Sequence, residues 1–311
     1  MIYPISYSFP KELMATSVPL KTCHTAEHDY QFTDSSLYLQ NYGKGIFANT
    51  GLKCGWDCLR HYEILSQGTI PHFKDLEQCP VKTMVPFPKQ QILDLNTKYW
   101  SSDFNTIMKN GSSTLYEDCN SLLTYTRTIL TTETSAKYLL HQSDQPNASK
   151  ILYITNADGN GDYMYETLGH GLKTITNGSC HVYPDFGHWY KGYPLESALK
   201  MYGKGFNYTR LLPDSWKQGT SEEFVWSNIR ERYYDIIVIY LQDKSDTMIP
   251  FTTGDTNMMN FYSPNEISVV CGRDCDPYWS KEKEWYIRRN HECSLKKIND
   301  GRHIFIRELG D

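Results

Sequence analysis

The chain has no excess of positive charge: 31 Lys and Arg stand against 36 Asp and Glu, a net charge of −5 over 311 residues. That argues against a nucleic-acid groove or a basic membrane-binding face. It has no apolar run near the ~18 to 20 residues that a membrane span requires. Met1 to Leu20 carries Pro4 and Pro10 and no stretch of h-region length, so no secretory route is expected and the expected location is cytoplasmic. Without that route the N-x-S/T sequons at Asn110, Asn147, Asn177 and Asn207 read as chance matches. The nine cysteines, an odd number, read as reduced thiols. Cys271, Cys275, His291 and Cys293 lie within ligand range of one another in sequence, but C-x3-C and H-x-C are not common zinc spacings. They read as thiols packed like small hydrophobes, with a zinc-stabilised interaction module as the alternative. Internal repeats and low-complexity tracts are absent too.

What is present is enough chain for two domains, each with a core. Aromatics are abundant, with 24 Tyr and 7 Trp. Such rings stack on sugars and bases at a site and fill the core elsewhere. The patterning predicts strands at 2–9, 45–49 and 69–73 and helices at about 56–67, 89–95 and 99–109. One long helix or two shorter ones follow over 115–141. Lys11 to Lys44 reads as polar and broken, with Glu27, His28 and Asp29 in a loop. Ser143 to Ser149 reads as a linker, dividing the chain into 1–145 and 146–311. The pattern then restarts with a strand at 150–156, a Gly/Asp/Asn loop, a helix at 163–174, and strands at 181–183, 235–241, 266–271 and 303–307. Asp235 to Leu241 is almost continuously apolar, as a strand covered on both faces of a parallel sheet must be. Strands alternating with helices predict an α/β fold with parallel sheets.

The stretch from Gly55 to Pro71 carries the most chemistry. Arg60 and Glu63 are spaced i, i+3 and share a helical face. An arginine near a helix start can neutralise a diphosphate, and a glutamate one turn on can accept hydrogen bonds from ribose hydroxyls. The same pair also fits a solvated ion pair on an exposed helix. The loop in front of it runs from Thr50 through Gly51 and Lys53 to Gly55. Lys53 is a second phosphate partner or an ordinary exposed lysine. Asp57 favours the helix dipole, and His61 and His72 read as structural histidines.

The run from Phe47 to Lys89, with Gly55-Trp56-Asp57, Arg60-His61-Tyr62-Glu63, Gly68-Thr69-Ile70-Pro71 and Cys79-Pro80, resembles the donor-binding segment of exostosin-like glycosyltransferases. The resemblance is greatest to those encoded by large DNA viruses of algae (chloroviruses) and by marine microbes. A second segment, with Ile151-Leu152-Tyr153-Ile154, Asp162-Tyr163 and His170-Gly171-Leu172-Lys173, resembles the other Rossmann-type half of the same enzymes.

The resemblance implies two Rossmann-like halves facing across a cleft, the GT-B architecture, with ligands at the carboxyl ends of the strands. It implies a viral, exostosin-like, metal-independent, inverting enzyme. Xylose from UDP-xylose would pass to a fucose-containing glycan, and no cofactor is needed beyond the UDP-sugar substrate. Thr50, Gly51, Lys53, Gly55, Arg60 and Glu63 are then the donor-binding group. Inversion requires a base for the acceptor hydroxyl. Asp162 and Asp158, in the loop after the strand at 150–156, are the candidates, with His170 and His188 in reserve. Asp162 also fits a plain helix N-cap. Asp158-x-Asn160-x-Asp162 is not an EF-hand, since Gly169 stands where the glutamate belongs. In the family the second half comes first, so the domain order here reads as circularly permuted. Met1 and Asp311 are therefore expected to lie close together. The reading from another class is a catalytically inactive carbohydrate- or nucleotide-binding protein on the same fold.

Overall fold

The structure, a computed structural model, describes residues 1–27, 31–53, 55–155, 161–241, 257–272 and 301–309. The chain forms β1 (Ile2–Pro4), β2 (Cys23–Ala26), α1 (Ser35–Gly43), β3 (Gly45–Asn49), α2 (Leu59–Ser66), β4 (Ile70–His72), α3 (Lys89–Tyr99), α4 (Phe104–Ile129) and α5 (Thr132–Gln142). It continues through β5 (Ile151–Thr155), α6 (Tyr163–Ile175), β6 (His181–Tyr183), α7 (Leu195–Ala198), α8 (Glu222–Arg230), β7 (Ile236–Leu241), β8 (Ile267–Cys271) and β9 (His303–Ile306).

The predicted α/β class with parallel sheets is what the chain adopts. One sheet has six strands in the order β1-β9-β8-β7-β5-β6, the other three in the order β2-β3-β4. Every pairing in both is parallel. Period-2 alternation sorts the central strands onto two faces. Ile151, Tyr153, Ile236, Val238, Tyr240, Val270 and Phe305 join one core, with Leu168 and Leu172 of α6 and Leu139 and Leu140 of α5. Leu152, Ile154, Ile237, Ile239, Val269 and Ile304 join the other, with Val225 and Ile229 of α8. The strands are nearly all apolar because both faces are covered. The first core runs on without a break into Ile46, Phe47, Leu59 and Tyr62 around the small sheet.

From β5 the chain goes to β6 on one side, then returns through α8 to β7 on the other. The strands β6-β5-β7-β8-β9 thus follow the doubly wound order 2-1-3-4-5, and the switch point lies at the carboxyl end of β5. That is where such sheets hold ligands.

Several expectations need correction. The stretch 11–44 holds β2 and α1, whose N-cap Asp34 accepts a hydrogen bond from the Leu37 amide, while Glu27 lies outside both, as expected of a loop. His28 and Asp29 lie outside the described residues. The first strand stops at Pro4, and Phe9 instead bridges to Thr131. Residues 104–129 form one helix with a non-helical kink at Gly111, and Thr131 caps a separate α5. Residues 2–4, before the 145/146 division, belong to the sheet of the second half.

The permutation reading meets a geometric obstacle. The first and last strands are neighbours, with Met1 donating to the Arg302 carbonyl at 3.0 Å. They run parallel, however, so Leu309 emerges at the other end, where its carbonyl accepts from Thr83 at 3.0 Å. Asp311 lies outside the described residues. A short link from 309 to 1 would have to run back along the strand pair, and parallel strands need a crossover of about a dozen residues or more. Among the described residues, no helix is long and apolar enough to cross a membrane.

Candidate functional site

Helix α2 packs Leu59, Tyr62 and Leu65 into the core, and His61, Glu63, Ile64 and Ser66 are buried as well. The reading of Arg60 and Glu63 as a solvated pair on an exposed helix therefore fails for Glu63, which is only 6% exposed. The two side chains line a cleft of about 330 Å3. One wall comes from the first half, with Phe32, Tyr38, Lys53 and Cys58. The other comes from the second half, with Tyr163, Tyr202, Gly203, Lys204 and Phe206. Lys53 lies in the loop after β3, and Tyr163 is the first residue of α6 after β5. The cleft thus sits beyond the carboxyl ends of parallel strands in both sheets.

Glu63 joins the two walls. One carboxylate oxygen accepts from the Tyr38 hydroxyl and the other from the Asn207 side-chain amide, both at 2.7 Å. Asn207 is held in turn by Ser35 at 2.9 Å. Burial raises the Glu63 pKa, while the Tyr38 and Asn207 hydrogen bonds and the charges of Arg60 and Lys53 pull it back. A second tie is Lys204, whose ammonium donates to the Phe32 carbonyl at 2.6 Å. Tyr38 packs against Phe206 with ring centroids 5.5 Å apart.

The other residues of the expected donor group are placed differently. His61 is fully buried and ties down the loop from behind. One ring nitrogen meets the Thr50 hydroxyl at 2.8 Å and the other the Trp56 carbonyl at 2.8 Å. Since a carbonyl only accepts, Nε2 carries the proton and Nδ1 accepts from Thr50. Burial lowers the His61 pKa to about 3, so the ring is neutral. Thr50 thus serves the loop, and His61 is structural. A Cβ on Gly51 would meet open space, whereas one on Gly55 would collide with the Glu308 carboxylate. Gly55 is there for close packing and does not line the cleft. His72 stacks on Trp100 and bonds Asn96 at 2.5 Å.

The acid and base candidates separate. Asp162 is the N-cap of α6, accepting from the amides of Met164 at 3.0 Å and Tyr165 at 3.4 Å. Burial raises its pKa against the pull of Tyr240, the capped amides and Arg307. It is not among the residues lining the cleft. Asp158 lies outside the described residues. His170, on α6, is bonded to Thr132 at the start of α5 and to Glu12 of the N-terminal segment, each at 2.9 Å. His188 is buried against Glu166 at 2.9 Å, and the Trp189 indole donates to the same carboxylate. Neither histidine lines the cleft.

Asp57 does more than favour a dipole. It is 2% exposed and accepts from the Tyr7 amide and the Tyr62 hydroxyl, both at 2.7 Å. Arg307, fully buried, donates to the Asp57 carbonyl at 2.6 Å and lies 3.4 Å from Glu308. This cluster ties the end of β9 to the loop before α2. Burial pushes the Asp57 carboxyl up to about 7, against the pull of Arg307 and with a further push from Glu308. The folded state therefore holds a proton that the unfolded state releases near pH 4. Stability from this group is complete below that pH and is lost as pH rises through 7. In urea unfolding between pH 5 and 8, Asp57→Asn should flatten that decline relative to the unaltered chain. Equal slopes would contradict the assignment.

Sequence reading missed Tyr38, Asn207, Tyr202, Lys204 and Arg307 as site residues. The sequon at Asn207 is no glycan acceptor site in this fold, since the side chain is buried and bonded to Glu63 and Ser35. Six of the cysteines, Cys23, Cys58, Cys79, Cys119, Cys180 and Cys271, are free thiols. Cys275, His291 and Cys293 lie outside the described residues, and the described residues hold no metal-binding group. Comparison of the chain with protein-family models, curated proteins and solved structures finds no significant match.

Proposed function

We propose that the chain is an inverting, metal-independent glycosyltransferase of the GT-B kind that moves a sugar from a UDP-sugar to a glycan hydroxyl. The observation that carries this reading is the position of the cleft. It opens beyond β3 and β5, beside the switch point of the larger sheet, with Lys53 and Arg60 on one wall and aromatic rings on both. Arg60 and Lys53 neutralise the diphosphate, and the uracil stacks among Phe32, Tyr38 and Phe206. Glu63 has one lone pair on each oxygen engaged and offers the others to the ribose. Xylose as the sugar and fucose as the acceptor rest on the family resemblance alone.

The acceptor proton needs a base. Asp162, with one oxygen committed to the cap and a pKa raised by burial, and Asp158 are the carboxylates of the switch-point loop. Asp162→Asn should reduce transfer by about 10²- to 10⁴-fold while UDP affinity stays unchanged.

A binding-only protein on the same fold is the second reading. It is favoured by the cleft having Glu63 as its one lining carboxylate among the described residues, already bonded by Tyr38 and Asn207. A thermal-shift panel of UDP, GDP, ADP and their sugars, followed by an assay of UDP release, separates the two. Release of UDP supports the enzyme; selective UDP binding without release supports the binder; no nucleotide preference contradicts both.

A further inference from the structure

We propose that Tyr202 and Tyr163 form a stacking platform for a pyranose ring at the mouth of the cleft, where an acceptor sugar sits. The inference rests on the glycan part of the reading above and is independent of its UDP part.

Tyr202 is 67% exposed yet lines the cleft, and its ring centroid lies 5.6 Å from that of Tyr163 at an interplanar angle of 51°. A single exposed aromatic is ordinary on a protein surface; what sets this one apart is that it lines the cleft. The backbone beneath it is unusual. Gly203, Lys204 and Gly205 are consecutively left-handed, at φ of 57°, 58° and 65°, and Asn207 follows at 69°. Asparagine enters that region readily, but a lysine persists there only where the surroundings hold it.

Here the surroundings do hold it. The Tyr202 carbonyl accepts from the Tyr208 hydroxyl at 2.6 Å. Lys204 is tied to Phe32 and Asn207 to Glu63, both across the cleft. Any side chain on Gly203 would collide with the Tyr163 hydroxyl. The loop is thus fixed against the first residue of α6, and Tyr202 is presented on a rigid base. Ordering such a ring in advance removes an entropic penalty from binding.

The occupant follows from the exposure of the rings that line the cleft. Tyr38 packs on Phe206 and is bonded to buried Glu63, which suits an enclosed nucleobase. Tyr202, largely exposed, suits a ring from which a longer chain continues into solvent. A pyranose offers a C–H face to aromatic rings and keeps its equatorial hydroxyls in water.

Saturation-transfer NMR with methyl α-L-fucopyranoside, methyl β-D-galactopyranoside and methyl α-D-glucopyranoside, with and without UDP, tests this. At least one glycoside should take saturation on its ring C–H protons. Tyr202→Ala should weaken its binding by about fivefold or more, while Tyr202→Trp should retain it. The melting temperature should be unchanged in both variants. The proposal is overturned if none of the three glycosides binds, or if Tyr202→Ala binds as well as the unaltered chain. Glycoside binding without UDP binding would sink the donor reading and leave the platform standing. UDP binding without glycoside binding would do the reverse.

Discussion

Arg307→Leu is expected to destabilise the fold by about 3 to 5 kcal/mol, the usual range when one partner of a buried ion cluster is removed. The guanidinium is fully buried. It bonds the Gly272 carbonyl at 2.9 Å and the Asp57 carbonyl at 2.6 Å, and lies 4.6 Å from the centre of the Tyr7 ring. Its charge also acts on Asp57 and Asp162, lowering the pKa of each. A leucine fills much of the space but leaves these carboxyls and Glu308 buried without that charge. Both pKa values should rise further, so the variant should lose stability more steeply than the parent as pH increases toward 8. Urea unfolding at pH 5 and pH 8 measures both effects. A loss below about 1 kcal/mol at each pH would mean that the cluster is neutral through proton uptake and that Arg307 is replaceable by packing.

Arg60→Ala is expected to weaken UDP binding by about 10- to 150-fold. This corresponds to the ~1.5 to 3 kcal/mol of a hydrogen bond to a charged group. The melting temperature should change little, because Arg60 is the residue of α2 that is not buried. Glu63→Gln should behave differently. Glutamine keeps an acceptor for Tyr38 or Asn207 but turns a donor toward the other. The variant should therefore lose stability as well as affinity. UDP binding by Arg60→Ala as tight as that of the parent would move the phosphate site away from α2.

Much of this architecture is legible in the residues themselves. The runs Ile151 to Thr155, Ile236 to Leu241 and Ile267 to Cys271 are so apolar that only a sheet covered on both faces accommodates them, and all three are parallel strands. Helices α2, α3, α5 and α6 fall near their predicted positions, because apolar spacing marks the faces they bury. β2 and α1 were missed for a physical reason. Cys23-His24-Thr25-Ala26 is only half-buried at a sheet edge, and α1 buries tyrosine, leucine and glycine among polar residues. Asp34, four residues before Tyr38, was the available N-cap signal.

The site was readable only on one side. Arg60, Glu63 and Lys53 are close in sequence, so local spacing brings them together. Asn207 reaches Glu63 over 144 residues, and Lys204 reaches Phe32 over 172, distances no periodicity reports. The left-handed run at Gly203 to Gly205 was the one local hint, in two glycines flanking a lysine. His61, read as a structural histidine, is one: its ring holds the loop before α2.

The central claim, that this cleft binds a nucleoside diphosphate through side chains alone, is tested most directly by calorimetric titration of UDP into the protein in the presence of EDTA. Saturable one-to-one binding that survives EDTA and is lost in Arg60→Ala is the predicted result. Absence of binding, or binding that appears only when a divalent metal is restored, would contradict it.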